Sequence, residues 1–507
     1  MSTLTAQRRS RYTSARSMLE ATLDPGSFVT WDTPVDYSAA EETYRLELEE
    51  AARSTGVDES VITGEGLIGG RRVAVALSEF GFLGGSIGHA TADRLVRLFE
   101  RATAEGLPVL ASPSSGGTRM QEGTPAFVAM VSITAAARRH KQSGLPYLVY
   151  LRHPTTGGAF ASWGSLGHIT AAEPGALLGF LGPRVYQALY GQPFPDGIQQ
   201  AENLYAQGLI DAVVPVTQLR NLVFRTLGLL DKRVTGEAPA APSDDQSDRA
   251  PAAWDAVQAT RQPRRPGVRH LLKYGASEVL QLNGTGQGER DGRMFLALAR
   301  FHGSSCVVIG QDRHPSGSPA PLGPAFLREA RRGMRIAEEL GLPLVTVIDT
   351  EGAALSPEAE NGGLAGEIAR SISDLIGLRT PTVSVLLGQG TGGGALALLP
   401  GDRTIAAGRA WLAPLPPEGA STIRYRTTER AAEMAERQHV GAASLLKAGI
   451  VDTIVPEPHD PIRNPHELTA GISAALGRAM EQLAGIPTAA LLSGRQRKYA
   501  SIKPFHS

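Results

Sequence analysis

Two glycine pairs in this chain stand where chemistry on an oxygen could be done. Gly157 and Gly158 belong to Thr155-Thr156-Gly157-Gly158-Ala159-Phe160-Ala161-Ser162, which follows the apolar run Tyr147-Leu148-Val149-Tyr150-Leu151 and leads into small residues suited to a helix. Gly393 and Gly394 belong to Gly388-Gln389-Gly390-Thr391-Gly392-Gly393-Gly394-Ala395, between an expected strand over 383–387 and an expected apolar helix over 395–399. A glycine pair at a strand-to-helix joint lets the backbone come close to a ligand and leaves the first helical N–H groups without intrahelical acceptors. Donors fixed in this way stabilise negative charge developing on an oxygen. A tight turn needing positive φ has the same local sequence; the pattern gains weight because it occurs twice.

Other residues in the first half fit the same picture. Gly84 and Gly85, in the stretch 81–88, lie between an expected strand and an expected helix over 90–103. Ser115, Gly116, Gly117 and Arg119, in the stretch 114–123, lie between another strand and a helix over 125–143. Three glycine-rich joints, all following strands, mark the edge at which open α/β sheets bind ligands. Arg119 and Glu122 share a helical face, either as a surface ion pair or as part of a ligand contact. His153 adjoins the key loop. Gly84-Gly85-Ser86-Ile87-Gly88 matches the Gly-x-Ser-x-Gly hydrolase pattern, but no partner Asp and His can be picked out. Asp349, in Ile348-Asp349-Thr350-Glu351-Gly352-Ala353, reads as a helix cap or as a catalytic carboxylate. The GxxxxGK[ST] phosphate loop is absent, and the 11 histidines show no metal-ligand spacing, so no metal is expected.

The elements that must position these residues alternate. Strands expected over 72–77, 108–111 and 147–151 are separated by helical patterns, the signature of βαβ units. Residues 2–53 are polar and helix-prone, broken by the turn signal Asp24-Pro25-Gly26-Ser27. Residues 235–251, rich in Pro, Ser, Asp and Gln, read as a linker. This gives a first domain over 1–234, a linker over 235–253 and a second domain over 254–507. The two halves correspond. Glu105-Gly106-Leu107-Pro108-Val109 matches Leu340-Gly341-Leu342-Pro343-Leu344, Leu145-Pro146-Tyr147 matches Thr380-Pro381-Thr382, and Gly157-Gly158-Ala159 matches Gly393-Gly394-Ala395. Gly208-Leu209-Ile210-Asp211 matches Gly449-Ile450-Val451-Asp452. Ordered matches at a steady offset of 235–241 residues indicate two homologous domains from one duplication.

Fifty basic residues balance fifty acidic ones, so no global field favours nucleic acid or an anionic membrane. Cys306 is the sole cysteine, which excludes an intrachain disulfide and a multi-cysteine metal site. Neither a signal peptide nor a membrane-spanning run is read, and the expectation is a cytoplasmic α/β protein.

With these motifs in order, the chain resembles the carboxyltransferases of biotin-dependent acyl-CoA carboxylases. The first half resembles the β subunit of bacterial acetyl-CoA carboxylase carboxyltransferase through 24–28, 81–88, 115–123, 153–162 and 172–214. The second resembles the α subunit through Arg265-Pro266, 299–303, 307–310, 348–353, 388–397 and Pro416-Pro417-Glu418-Gly419. The resemblance implies two tandem crotonase-like ββα-spiral domains and transfer of a carboxyl group from carboxybiotin to the α-carbon of a short acyl-CoA. It implies that Gly157 and Gly158 hold the thioester oxygen and Gly393 and Gly394 the biotin ureido oxygen. It also implies acyl-CoA contacts from Gly84, Gly85, Ser115, Gly116, Gly117, Arg119, Thr156 and Ala159, and biotin contacts from Gly352, Ala353, Gly392 and Ala395. Ser86 then belongs to a glycine-rich loop rather than a hydrolase elbow.

No biotinyl-lysine Met-Lys-Met site or ATP-binding half is read. The implied partners are therefore a separate biotin carboxyl carrier protein, a biotin carboxylase and further copies of the chain, as a dimer or a dimer-based hexamer. Three departures stand out: the zinc ribbon of the bacterial β subunit is missing, Thr350-Glu351-Gly352 replaces Thr-Pro-Gly, and the segment after Ile309-Gly310 is poor in lysine. Two alternatives are a malonyl-thioester decarboxylase of the same fold and a non-catalytic assembly subunit.

Overall fold

In the computed structural model, the described residues are 13–231, 251–312 and 322–503. They form two compact units, the first running to Gly228 with Gly286–Gly288 added, the second from Leu229 onward without those three residues. Residues 235–250 of the expected linker lie outside the described set; Ala253 already opens the helix Ala253–Thr260, whose Val257 packs with Trp411, Ala435 and Val440.

The first unit contains β1 (Val29–Thr30), β2 (Val61–Ile68), β3 (Arg71–Ser78), β4 (Val109–Ser112), β5 (Tyr147–Leu151), β6 (Thr155–Thr156), β7 (Ile169–Ala172), β8 (Leu178–Gly179) and β9 (Ala212–Val213). One sheet has the order β1-β2-β3-β4-β5-β7-β9. It begins antiparallel, through β1, β2 and β3, and continues parallel from β3 to β9. The short β6 and β8 pair separately. The second unit repeats the plan with β10 (Glu278–Leu282), β11 (Met294–Phe301), β12 (Ser304–Gln311), β13 (Leu344–Thr350), β14 (Thr382–Thr391), β15 (Arg403–Ala407), β16 (Trp411–Ala413) and β17 (Thr453–Val455). Its sheet runs β10-β11-β12-β13-β14-β15-β17, antiparallel then parallel, with β16 on the far end of β14. This is the crotonase-like arrangement, present twice.

The sequence explains the repeated joints. Val109 and Leu344 each follow Gly-Leu-Pro, which stops the preceding helix. Gly106 (φ +66°) and Gly341 (φ +61°) take the left-handed conformation. Leu107 and Leu342 then return their N–H groups to Ala102 and Ala337 at 2.8 and 2.9 Å, the Schellman closure. Proline bars the helix from continuing, and the next residues enter the sheet. All five residues of β5 are buried, as expected for a parallel strand covered on both faces. Against it pack Phe99, edge-on to Tyr147 with ring centres 5.1 Å apart, and the fully buried Trp163.

Several expected boundaries shift. The helices fall at His89–Ala104 and Gly123–Gln142. The largest change is that β14 continues to Thr391 and the helix after it is Gly392–Leu396, beginning three residues before the expected start at Ala395.

Candidate active site

In the first unit three loops meet at the carboxyl ends of β3, β4 and β5. The Gly116 N–H donates to Gly84 O at 2.8 Å, Ile87 N–H to Gly117 O at 2.9 Å and Arg119 N–H to Ile87 O at 2.9 Å. Ser115 N–H donates to Pro154 O and Thr156 N–H to Ser115 O, both at 2.8 Å. Backbone contact this close demands glycine. A Cβ on Gly85 would lie 2.1 Å from Ser114 O, and one on Gly157 would lie 3.0 Å from Gly117 Cα. Ser115 is buried, and its hydroxyl accepts the Gly117 N–H at 3.0 Å, fixing that glycine at φ +122°. Thr156 Oγ1 donates to Ser115 O at 3.2 Å.

The chain then turns at Gly157 (φ +61°) into a one-turn helix, Gly157–Phe160. Gly157 gives its own N–H to Phe180 O at 2.9 Å, so it shapes the turn and is not a free donor. The next N–H groups, of Gly158 and Ala159, precede any intrahelical acceptor. Gly158 is half-buried and Ala159 fully buried. Gly158 rests on Met130 and Thr118, which a Cβ there would meet at 3.4 Å, while Ser162 Oγ holds Gly158 O at 2.6 Å.

The second unit builds the same object. Thr350 Oγ1 accepts the Gly352 N–H at 3.0 Å, with Gly352 at φ +127°. Ala353 bridges Leu322 as Thr118 bridges Ile87, and Ala354 N–H donates to Leu322 O at 2.9 Å, as Arg119 N–H does to Ile87 O. Thr350 pairs with Gly390, as Ser115 does with Thr155. The turn glycine is Gly392 (φ +64°). Every one of these equivalences has an offset of 235 residues, from Ile87 and Leu322 to Gly157 and Gly392.

That offset corrects the sequence alignment by one position. Gly157 corresponds to Gly392, Gly158 to Gly393 and Ala159 to Gly394; Ala395, expected beside Ala159, lies one residue deeper and is buried. Burial agrees, since Gly392 and Gly393 are half-buried and Gly394 is buried, in the order of Gly157, Gly158 and Ala159. Triple glycine blurred the register because adjacent alignments score alike.

Arg119 is also corrected. It is fully buried, and its guanidinium forms a two-pronged ion pair with Glu59, itself 0% exposed. It therefore faces the protein interior and not a ligand. Burial works against both charges, but the mutual bond and charge hold Glu59 below the usual carboxylate range and raise Arg119. Glu122 touches it only at 3.4 Å and instead accepts the Tyr44 hydroxyl at 2.5 Å and the His89 N–H at 2.6 Å. Ser86 Oγ accepts the Arg119 Nε–H at 3.2 Å, so it faces a cation where the hydrolase pattern needs a general base. His153 Nδ1 accepts the Leu177 N–H at 3.1 Å, a structural bond. Asp349 is not a helix cap: it is the last residue but one of β13 and its Oδ1 takes the Gln389 N–H at 2.9 Å, while Ser356 caps the following helix.

Sequence reasoning missed Thr350, Glu59, Tyr37 and Tyr44. Thr350 was readable, since Thr350-x-Gly352 repeats Ser115-x-Gly117 at the 235-residue offset. Glu59 carries no local signal, because its partner lies 60 residues on.

Two crotonase-like units, each with a positive-φ glycine turn at the carboxyl ends of its parallel strands, define the class. The carboxyl transferase domain model matches residues 7–489, and the chain belongs to that family. It is an enzyme, a carboxyltransferase subunit of the acyl-CoA carboxylase type. Over 483 residues it is 56% identical to a Mycobacterium tuberculosis protein named "Probable biotin-dependent acyl-coenzyme A carboxylase beta3 subunit", covering 95% of this chain and 97% of that one. It is 35% identical to the acetyl-coenzyme A carboxylase carboxyl transferase subunits beta/alpha of Saccharopolyspora erythraea, covering 95% and 87%. The crystal structure of transcarboxylase 12S, a hexamer with methylmalonyl-coenzyme A and methylmalonic acid bound, shares the fold. Its TM-score is 0.73 at 22% identity, covering 95% of this chain and 92% of that one. Among the described residues no helix is long and apolar enough to cross a membrane.

Proposed function

We propose that the chain moves a carboxyl group from carboxybiotin, borne by a separate carrier protein, to the α-carbon of an acetyl- or propionyl-type acyl-CoA, giving malonyl- or methylmalonyl-CoA. The biotin, when bound, supplies the carboxyl group as a substrate; the chain's own residues supply the donors. One observation carries the reading. The same turn, with the same positive-φ glycine and the same graded burial, occurs once in each unit. The reaction has two oxygens on which charge grows, the thioester carbonyl and the ureido carbonyl. Gly158 and Ala159 are assigned to the first, Gly393 and Gly394 to the second. Both places fit a neutral oxygen that becomes anionic: the donors are backbone groups, already oriented, and glycine leaves room for close approach.

The names of the relatives support a biotin-dependent acyl-CoA carboxylase complex, with a biotin carboxyl carrier protein and a biotin carboxylase as partners. The hexameric transcarboxylase supports an oligomer. In this reading residues 1–234 are the acyl-CoA domain and 254–507 the biotin domain, working in the cytoplasm.

The test is carboxyl transfer from a carboxylated biotinyl carrier to a panel of acyl-CoAs. G158V and G393V, which place a branched side chain beside the donors, are each expected to lower transfer by about 10²–10³. Wild-type activity in both variants, or rapid biotin-independent release of carbon dioxide from malonyl thioesters by the unmodified protein, would sink the assignment.

A further inference from the structure

The buried Arg119 and Glu59 belong to none of the donor sets above, yet they sit directly behind the first unit's loops. Arg119 Nη2 donates to Ser86 O at 2.8 Å and Nε to Ser86 Oγ at 3.2 Å, so it grips the 84–88 loop. Its own backbone closes the bridge to Ile87, so it grips the 115–118 loop as well. Nη1 reaches the Tyr44 hydroxyl at 3.3 Å, on the helix Glu42–Thr55, and the guanidinium lies 5.5 Å from the centre of the Phe82 ring. Glu59 completes the knot by accepting the Tyr37 hydroxyl and the Ser60 N–H, while Ser60 Oγ donates to Ser86 O at 2.8 Å. The guanidinium thus adds side-chain bonds among four stretches of chain, two of which already meet through three backbone bonds.

The second unit shows that the topology does not require it. At the equivalent crossing, Ala354 forms the same backbone bond to Leu322 with a methyl group and no guanidinium. Removing charges from water is costly, and a hydrophobic pair serves stability as well in many buried settings. What the ion pair adds is directional: several fixed bonds converge on the loop whose Gly117 backs Gly157 and Gly158.

We propose that Arg119, held by Glu59, is a positioning residue for the first unit's donors. It clamps the 84–88 and 115–118 loops so that Gly117 fixes where the Gly158 N–H points. It never touches substrate. The inference rests on the acyl-CoA reading of this half-site. A donor that acts only as charge develops affects turnover more than ground-state binding, and displacement by about 1 Å costs on the order of 10²-fold.

The experiment is steady-state transfer with the assembled complex and the double variant R119M/E59L, whose apolar pair fills the same space. Expected are a thermal midpoint within a few degrees of wild type, an acyl-CoA KM within about twofold, and kcat lowered about tenfold or more. Unchanged kcat, or a kcat loss matched by loss of folded protein, would overturn the inference. Should the double variant not fold, E59Q provides the second arm. It keeps the shape of the carboxylate but weakens the two-pronged bond, and unchanged kcat there also overturns the proposal. If the unmodified complex transfers no carboxyl group to any acyl-CoA, the functional reading fails instead, and the two failures are told apart.

Discussion

The two units reach one backbone geometry with different side chains behind it. The turn glycines, the hydroxyls of Ser115 and Thr350 two residues ahead of a glycine N–H, and the bridges to Ile87 and Leu322 coincide at a single offset. The supports do not. The first unit carries Arg152 on the chain itself, where it donates to Ser112 O at 2.8 Å, Ser112 Oγ at 2.9 Å and Thr13 O at 2.7 Å. Leu387 stands at the equivalent place in the second unit. There Arg265 arrives from elsewhere, bonds Leu387 O at 3.2 Å and is neutralised by the buried Glu457. The glycine turn keeps one backbone geometry in both units, whereas the carbonyls at the strand ends are met by a buried cation that comes from different places in the chain. The proposed chemistry by main-chain groups fits this division, since it constrains φ, spacing and glycine and leaves the scaffold free to diverge.

The sharpest way to break the equivalence is at its pivots. Gly157→Ala and Gly392→Ala each force a side chain into the left-handed region, at a cost of roughly 1–2 kcal/mol. The first should suffer more, because its new Cβ would lie 3.0 Å from Gly117 Cα, against 3.4 Å from Pro414 O in the second. Thermal midpoints and transfer rates should rank wild type above G392A above G157A; the reverse order would undo the register. A smaller effect is expected from Ser115→Ala and Thr350→Ala. Each removes one bond to a glycine N–H, worth about 1 kcal/mol, and should slow transfer by about 3–10-fold. Ser115→Thr and Thr350→Ser should restore most of the rate. If only one of the alanine variants is impaired, the shared clamp is shared in shape alone.

Acidity should separate the units most gently. In the second, burial pushes the Glu329 carboxyl up to about 7, although the Asp291 and Gly284 N–H groups partly offset this. Between about pH 4.5 and 7 the folded chain keeps a proton that the unfolded chain releases, so this group's contribution to stability falls as pH rises through that window and is flat above it. In the first unit Glu59 is held low, so its contribution is full above the ordinary glutamate range and is lost only in stronger acid, as pH falls through its depressed value. Thermal midpoints of wild type and E329Q at pH 5 and pH 8 check this: the variant should show the smaller drop toward pH 8.

How much of this was legible follows the same division. Strand positions and helix stops were readable because Gly-Leu-Pro and all-apolar runs act locally. The two glycine turns were readable because a glycine pair shortly after an apolar run marks a place where the backbone must turn sharply. The register was not, because Gly392, Gly393 and Gly394 are indistinguishable until φ is known. Nor was the role of Arg119, whose three-residue spacing to Glu122 suggested the nearer partner. Its real partner is fixed by the return of the chain through β2, a long-range consequence of topology that no window of sequence contains. Asp349 misled for a related reason: a carboxylate after a strand resembles a cap until the neighbouring strand is seen to run on and offer its own N–H.

The constant offset has a consequence for how such a chain can change length. From Ile87 to Gly157, and from Leu322 to Gly392, the two units count the same number of residues. Outside that interval the count drifts: Ser78 and Gln311, which end paired strands, stand 233 apart, and Asp211 and Asp452, which accept the Thr170 and Thr404 N–H groups, stand 241 apart. The interval behaves like a measured cord tied at both ends, by a backbone bridge at one and a left-handed glycine at the other. Insertions and deletions can be absorbed before the first knot and after the second, and the stretch between is exchangeable between units only as a whole.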